Sequence, residues 1–351
     1  MTWETELYVV KLSMPGEIRY SKDMRLNEVK EFLSTIHYGM NYDKYIEPGL
    51  LYFTEDINKL RDNLGVDKVA PMGLYIRGVY GGEERGEEGK YAGLALEQYH
   101  MDGAVFRFKL SNTRDELVVP LELMRKYGID VYKMVYVGEI NPFRLNRYLD
   151  VLLSRKGEDD LKQFLREALK INKRNVSEDT QRKIEGLIDE LKQPSTITTF
   201  NTSKYYVVYR CDRAFTACMI SLKEGNIIAA SNVSYVECSN ADMAYYYSAV
   251  LNYLAFKVIE HRRTFNRHQY ARPLLAVLIA GLSWGNLDEE TRMRIVKLSK
   301  VLHDKAPQRN YANQRMALID ISLFSEFNEL VHILDSKVDI ERLEKALKLV
   351  S

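Results

Sequence analysis

Strand-like runs in this chain fall into two groups, and a purely helical block separates them. In the first group, residues 104–110 alternate apolar with basic side chains, which is the period of a half-buried strand. In the second group, residues 205–210 are aromatic and β-branched, a composition that favours a sheet. Between the groups, residues 159–173 and 177–193 both have helical periodicity. This order predicts an α+β fold.

The same order predicts three parts along the chain. A mixed sheet domain is expected over residues 1–150, and a helical hairpin that acts as a spacer over residues 151–194. Residues 195–351 are expected to form a recognition-like α/β domain that ends in helices. A chain of 351 residues is long enough for such a division.

Further elements follow from the same patterns. The other predicted strands are residues 7–12, 73–80, 117–121, 131–137, 214–222, 227–230 and 234–238, and the other predicted helices are residues 27–36 and 241–261. The Gly- and Glu-rich residues 81–89 predict a solvated loop. Residues 223–226, Lys-Glu-Gly-Asn, predict a hairpin turn between the strands on either side. Ser177 and Asn240 suit helix N-caps, and Pro194 suits a helix end.

Composition predicts a soluble protein of the cytoplasm. Apolar residues make up 46% of the chain, which is ample for real cores. There is no run of about 18 apolar residues that would predict a transmembrane helix, and the acidic N-terminus lacks an apolar signal core. Cys211, Cys218 and Cys238 form no CxxC pair, so we expect free, buried thiols in a reducing compartment. The charged fraction of 28% is typical of a thermophile.

One stretch of this nearly neutral chain is strongly basic. Residues 257–315 contain twelve Lys and Arg against five Asp and Glu, a net charge of +7, although the whole chain carries only +1. Residues 1–150 carry −4 and residues 316–351 carry −3. A local positive field of this kind is typical of a surface that meets phosphates.

Within this stretch, residues 261–273 interleave Arg, His, Asn and Gln with aromatic residues directly after a helix end. Arg neutralises phosphates and pairs with guanine edges, whereas Asn and Gln suit adenine. The predicted DNA contacts are Arg262, Arg263, Arg267, His268, Gln269 and Arg272, with phosphate contacts from Arg294, Lys297 and Lys300 on the helix that follows. The alternative is a solvated helix end, where Arg and His complement the helix dipole.

The strand at residues 205–210 is followed by a helix with a Tyr-Tyr…Leu-Asn pattern at residues 245–252, and then by a basic segment that ends at Pro273. This order resembles the target-recognition domain of adenine-N6 DNA methyltransferases, a module that recurs in type I specificity subunits and in fused restriction–methylation enzymes. Residues 294–303 are similar to the helix after that domain. The resemblance covers roughly residues 200–305 and implies recognition of double-stranded DNA.

The motifs for methyl transfer itself are incomplete in this chain. Adenine methyltransferases carry an FxGxG cofactor loop and an Asn/Asp-Pro-Pro-Tyr/Phe motif that holds the flipped base. The nearest string, Asn141-Pro142-Phe143, lacks one proline and follows no Gly-rich turn, so we interpret it as an ordinary Asn-Pro turn. The resemblance therefore predicts recognition without methylation, and no cofactor.

A metal-dependent nuclease is the main alternative. Such an enzyme needs one acidic residue and a Glu/Asp-x-Lys pair on neighbouring strand positions, where they hold Mg²⁺ and position water. Glu97, Asp102 and Lys109 fall near this order, although Arg107 stands where the second acid should be. Glu139, after a strand, is a further candidate carboxylate. Mg²⁺ would then be the cofactor.

Three functions remain open from the sequence. The first is a double-stranded DNA-binding component of a restriction–modification, defence or DNA-processing system, with a methyltransferase or nuclease subunit as partner and no membrane. The second is the metal-dependent nuclease. The third is a non-enzymatic scaffold whose basic stretch docks on an acidic subunit.

Overall fold

The computed structural model describes residues 54–70, 73–76, 94–211, 214–222, 225–266, 269–309, 311 and 313–351. The predicted strand at 7–12, helix at 27–36 and loop at 81–89 lie outside these residues. The chain divides into two compact units, Met1–Gly65 and Val66–Ser351. In the first unit, helix α1 (Thr54–Leu64) is followed by Gly65, whose φ of 69° is the left-handed conformation that glycine adopts readily after a helix.

Helices and strands are both frequent in the second unit, which confirms the predicted α+β class. Its strands are β1 (Lys68–Ala70), β2 (Leu96–Asp102), β3 (Val105–Leu110), β4 (Leu117–Pro120), β5 (Ile129–Val135), β6 (Ile140–Asn141), β7 (Arg144–Leu145), β8 (Leu149–Ser154), β9 (Tyr205–Arg210), β10 (Ala217–Ser221), β11 (Ile227–Ala229) and β12 (Val233–Cys238). Its helices are α2 (Leu121–Tyr127), α3 (Glu158–Asn172), α4 (Glu178–Glu190), α5 (Ala241–Glu260), α6 (Arg272–Ile279), α7 (Glu289–Lys305), α8 (Gln314–Ile321), α9 (Ser325–Asp335) and α10 (Ile340–Val350).

The strands within the described ranges form four small sheets. β1, β12, β9 and β10 make an antiparallel sheet in that order. β11, β5 and β8 make a second sheet, in which β11 runs parallel to β5 while β8 runs antiparallel to it. β2, β3 and β4 form an antiparallel meander, and β6 and β7 form a short hairpin.

The predicted hairpin between residues 214–222 and 227–230 is wrong. β10 pairs with β9, whereas β11 pairs with β5 in the other sheet. Every residue of β11 is buried although β11 is the edge strand of its sheet, because other segments cover it. The N–H of Phe200 donates to the backbone oxygen of Ile227 at 2.8 Å, and the N–H of Leu74 donates to that of Ala229 at 2.7 Å. The residues at 223–226 favour a turn, but turn chemistry is local and cannot specify which strand the chain pairs with next.

One hydrophobic core runs through strands that precede and strands that follow α3 and α4. It includes Phe108 of β3, Val135 of β5, Phe164 of α3 and Ile228 of β11. Because β5 pairs with β11 and β1 pairs with β12, sheet pairing joins parts of the chain that the sequence suggested were separate. The expected domain boundaries at residues 150 and 194 therefore both fall inside the second unit.

The two helices expected to form a spacer belong to this core. Phe164 of α3 stacks on Phe108 with ring centroids 5.9 Å apart. The buried apolar side chains of the two helices are Leu161, Phe164, Leu165 and Ala168 of α3 and Ile184, Leu187 and Ile188 of α4. An amphipathic helix has to cover its apolar face; here β4 and β8 lie against α3, and α3 lies against α4.

Helix α4 begins at the N-cap expected from the sequence. Ser177 Oγ accepts a hydrogen bond from the backbone N–H of Thr180 at 3.3 Å and donates one to Asp115 Oδ2 at 2.5 Å. The hydroxyl thus satisfies the first turn of α4 and ties it to the segment before β4. These bonds also hold the pKa of Asp115 below its ordinary value.

Ser177→Ala is expected to lower the free energy of unfolding by about 1 to 2 kcal/mol, because the first turn of α4 loses its side-chain acceptor. Chemical denaturation measures this loss. Ser177→Thr keeps the hydroxyl and is the matched control, with a smaller expected loss. Equal losses in the two variants would contradict a capping role.

Three other sequence-based expectations hold among the described residues. Asn240 caps α5 by accepting from the backbone N–H of Met243 at 2.8 Å. Cys211, Cys218 and Cys238 are free and buried. None of the helices in the described ranges has the length and apolar character that would let it cross a membrane.

Candidate functional site

Two of the predicted DNA contacts lie inside the fold. Gln269 is fully buried, and its Nε2 donates to the backbone oxygens of Asn266 and Val350 at 2.8 and 2.9 Å. Arg272, the first residue of α6, is only 3% exposed. Neither side chain is available to DNA in this structure. Their polar side chains suggested a position at the surface, but the C-terminal end of α10 covers this segment and buries them.

Acidic residues neutralise three further predicted contacts. Arg263, Arg294 and Lys300 pair with Glu344, Glu329 and Asp242, respectively. Two of these carboxylates belong to the acidic residues 316–351. The basic and acidic stretches of the chain therefore compensate each other in the fold, and much of the local positive field expected from the sequence is cancelled.

Arg262 and Lys297 are exposed, and neither forms an ion pair within the part of the chain that the structure describes. Arg262 follows the end of α5 with a left-handed backbone, at a φ of 55°. Arg267 and His268 lie outside the described residues. Of the described residues in the segment predicted to contact DNA, Arg262 is thus the one whose charge stays open to solvent.

The candidate nuclease residues do not form a cluster. Glu97 and Lys109 face each other across β2 and β3 in an ion pair of 2.8 Å. Asp102 lies at the far end of β2, roughly 17 Å from Glu97 at about 3.4 Å per residue. Glu139 is buried before β6, where it accepts from Arg147 Nε at 3.2 Å. No three His, Cys, Asp or Glu side chains within the described ranges meet in a way that could hold a metal ion.

A cleft of about 540 Å³ opens between the β6–β7 hairpin, the end of β10 and helix α7. Residues 143–148 line it on the hairpin side, and residues 219–221 line it from β10. Tyr245 of α5 and His303 and Asp304 of α7 complete the lining. We call this site the hairpin cleft. It brings together residues from both sides of the helical block.

Phe143 anchors the turn of the hairpin. Its backbone is left-handed at a φ of 61°, and its N–H donates to the backbone oxygen of Ala217 at 2.8 Å. The ring is 1% exposed and meets His303 edge to face, with centroids 5.3 Å apart. The string Asn141-Pro142-Phe143 is therefore a turn, as the sequence indicates, and it is fixed against β10.

Asn141 is fully engaged with its neighbours. Its Nδ2 donates to Asn146 Oδ1 at 3.0 Å and to the backbone oxygen of Arg309 at 2.8 Å, while its Oδ1 accepts from Gln314 Nε2 at 3.1 Å. These bonds tie the hairpin to the connection between α7 and α8. The amide that would hold a flipped adenine in a methyltransferase is here part of the framework of the cleft.

A side chain of α5 takes the place of a neighbouring strand along the outer edge of β10. Asn252 Nδ2 donates to the backbone oxygen of Ala217 at 2.8 Å, and its Oδ1 accepts from the N–H of Ala217 at 3.0 Å. Asn252 is completely buried. An amide can act on both groups at once because it carries a donor and an acceptor side by side.

His303 of α7 covers the same edge two residues further along. Its Nε2 accepts from the N–H of Met219 at 2.9 Å, and its Nδ1 lies 2.7 Å from the backbone oxygen of Ser299. We therefore assign the proton to Nδ1, which leaves the ring neutral. Burial lowers the pKa of His303 to about 4, which agrees with this assignment. The ring also meets Tyr245 edge to face at 5.0 Å.

Two arginines line the hairpin side of the cleft. Arg144 donates from Nη1 to the backbone oxygen of Ala306 at 2.9 Å and from Nη2 to Gln308 Oε1 at 3.1 Å. Both acceptors are neutral, so within the described residues no carboxylate cancels the charge of Arg144. Arg147 donates to the buried Glu139, yet its side chain remains 63% exposed.

Helix α7 supplies the charges on the other side. Lys297, Lys300 and Asp304 share one face of the helix because they are three and four residues apart. The ammonium group of Lys300 lies 5.5 Å from the centroid of the Tyr245 ring. Asp304 lines the cleft and is exposed. Within the described part of the chain, its carboxylate forms no hydrogen bond or ion pair.

The sequence predictions do not include Arg144 and Arg147. A signal was present, since residues 143–148 read Phe-Arg-Leu-Asn-Arg-Tyr and interleave Arg and Asn with aromatic residues as residues 261–273 do. The net negative charge of residues 1–150 obscures this short run. Proximity of the hairpin to α7 depends on contacts between distant parts of the chain, which composition cannot indicate.

Comparison with protein-family models finds no match to the sequence. Comparison with curated proteins finds no match either. The resemblance of residues 200–305 to target-recognition domains therefore stays a prediction. Within that region, Tyr246 and Tyr247 of the Tyr-Tyr…Leu-Asn pattern are fully buried and Asn252 holds β10, so the pattern serves the core of this fold.

Proposed function

We propose that the protein binds double-stranded DNA across the hairpin cleft. The observation that carries this proposal is that the guanidinium of Arg144 is held in place by neutral acceptors. Two of its five N–H donors are held by Ala306 and Gln308, which fixes the guanidinium while leaving donors for a ligand. A fixed guanidinium that no carboxylate of the described residues neutralises suits a phosphate oxygen, because the geometry is already set before binding.

Cations on both sides of the cleft support contact with more than one phosphate. Arg147 adds an exposed guanidinium beside Arg144, and Lys297 and Lys300 lie on the face of α7 that also carries a residue of the lining. Lys300 pairs with Asp242, but both side chains are well exposed, at 46% and 38%. Exposed pairs contribute only about 0 to 1 kcal/mol, so a phosphate can replace this carboxylate at little cost.

The setting we propose is a recognition component of a restriction–modification or other defence system, beside a methyltransferase or nuclease subunit. The resemblance over residues 200–305 supports this setting. The two alternatives have less support. In the nuclease alternative, Glu97 is already engaged in an ion pair with Lys109. In the scaffold alternative, an acidic subunit would have to displace Glu344 from the half-buried Arg263.

Titration of a labelled duplex of mixed sequence at several salt concentrations tests the proposal by fluorescence anisotropy. The double variant Arg144→Gln/Arg147→Gln is expected to weaken binding about tenfold or more, because two phosphate contacts are lost. The slope of log affinity against log salt should also fall by about one for each contact. Addition of Mg²⁺ to the same samples reports any cleavage, which would favour the nuclease.

Two control variants show which part of the protein contacts the DNA. Arg174→Gln removes an exposed arginine from the connection between α3 and α4 and should leave the affinity unchanged. Arg262→Gln removes the exposed cation of the segment favoured by the sequence. If Arg262→Gln weakens binding and the double variant does not, the interface is that segment and not the hairpin cleft. Absence of duplex binding at low salt would contradict DNA binding altogether.

A further inference from the structure

The hairpin cleft has the size of a small-molecule site. Its volume of about 540 Å³ lies within the range of ligand pockets, roughly 300 to 1,000 Å³. A duplex can lie across such an opening but cannot enter it, whereas one unstacked nucleotide can. The cleft is open to solvent, and it is nevertheless larger than phosphate contacts alone require.

The interior combines chemistry that a phosphate alone would not use. Asp304 places a carboxylate in the lining, which repels phosphate and accepts hydrogen bonds from N–H donors. Tyr148 and Tyr245 contribute aromatic rings from two different elements, and Met219 and Ile220 contribute apolar surface. Aromatic and apolar surface suits the face of a base, while a carboxylate suits an exocyclic amino group such as that of cytosine.

We infer that the hairpin cleft accepts one unpaired nucleotide, with its phosphate on Arg144 and the amino group of its base on Asp304. This inference rests on the proposed DNA binding and specifies the ligand within the same site. The preferred substrate is duplex DNA that presents an extrahelical or single-stranded base with an amino group. Intact duplex contacts only the cations at the edge of the cleft: Arg144, Arg147, Lys297 and Lys300.

The position of Tyr245 and His303 supports a preformed site. The Tyr245 ring is held edge to face by His303, which in turn is fixed by bonds to Met219 and Ser299. The rim arginine Arg144 is likewise fixed by neutral acceptors. A ligand that enters therefore meets groups that are already ordered, and little conformational entropy is lost on binding.

Three labelled duplexes of otherwise equal sequence test the inference: one intact, one with a single bulged cytosine, and one with a bulged abasic site. The abasic bulge matches the bend and flexibility of the bulged duplex but lacks the base. The protein is expected to bind the cytosine bulge about tenfold more tightly than the abasic bulge, a margin in the range of one stacked and hydrogen-bonded base. Asp304→Ala is expected to lower this ratio severalfold without abolishing it, because the hydrogen bond to the amino group is lost while the base can still stack in the cleft.

Glu290→Ala is the matched control, since it removes an exposed carboxylate from the other end of the same helix. It should keep the preference for the cytosine bulge, because general repulsion of DNA by a carboxylate does not depend on the base. Equal affinity for the two bulges, with intact duplex still bound, would overturn the nucleotide site and leave the proposed function standing. A preference of unchanged size in Asp304→Ala would overturn the assignment to this cleft. Failure to bind any of the three duplexes would overturn both proposals.

Discussion

Asn252→Ala is expected to lower the free energy of unfolding by about 3 kcal/mol. The side chain is completely buried, and its two bonds to Ala217 satisfy the N–H and one lone pair of the oxygen on the outer edge of β10. The oxygen keeps a second donor in the N–H of Phe143, whereas the N–H loses its acceptor. A buried N–H without an acceptor costs about 1 to 3 kcal/mol, and the cavity left by the amide adds to this.

Urea denaturation of the two proteins side by side measures the loss. Asn328→Ala is the matched control, because it makes the same change at an exposed position of α9 and should shift stability by no more than about 0.5 kcal/mol. If the two variants lose equal stability, the Asn252 amide does not hold the edge of the sheet. The β6–β7 hairpin also bonds to Ala217, through the N–H of Phe143. Loss of the Asn252 amide should therefore displace the hairpin and weaken DNA binding as well.

Acidification from pH 6.5 to pH 4 is expected to remove about 3 kcal/mol of stability through His303. Burial lowers the pKa of this side chain from 6.5 to about 4 in the folded protein. Between these values the unfolded chain binds a proton that the folded protein does not, so stability is fully present above pH 6.5 and falls with the pH. The added proton would sit on Nε2, opposite the N–H of Met219, where two donors would face each other.

The pH dependence of His303→Gln isolates this contribution from that of the carboxylates. The difference in unfolding free energy between pH 7 and pH 4.5 should be smaller in His303→Gln than in the unaltered protein. His332→Gln, at an exposed position of α9, should leave the difference unchanged. A pH dependence that is identical in all three proteins would show that His303 does not titrate between these values.

Local elements of the fold follow well from the sequence. The Ser177 and Asn240 caps lie where their residue types indicate, and the run at 205–210 is β9 with the expected bounds. Each of these features depends on residues that are close together in the sequence. Strand pairing does not, because the partner of β11 is set by burial against β5 and not by the turn residues at 223–226.

The candidate site could be predicted only in part, for the same physical reason. The basic residues are correctly identified as a cluster in sequence, but the charge that reaches the surface depends on which acids fold beside them. Glu329 and Glu344 lie far along the chain from Arg294 and Arg263 and still cancel their charge. Conversely, no carboxylate among the described residues neutralises Arg144, because its hydrogen-bond acceptors there are a backbone carbonyl and a side-chain amide.

The pairing of β1 with β12 has a consequence for the synthesis of the chain. Lys68 lies opposite Glu237, so β1 leaves the ribosome long before its partner strand has been made. At about 5 to 20 residues per second, the interval is roughly 10 to 30 seconds. For that time Val69 and Ala70, both buried in the finished fold, have no sheet to join. The antiparallel sheet can therefore close only after β9, β10 and β12 have all been synthesised, so β1 joins the fold late although it is made early.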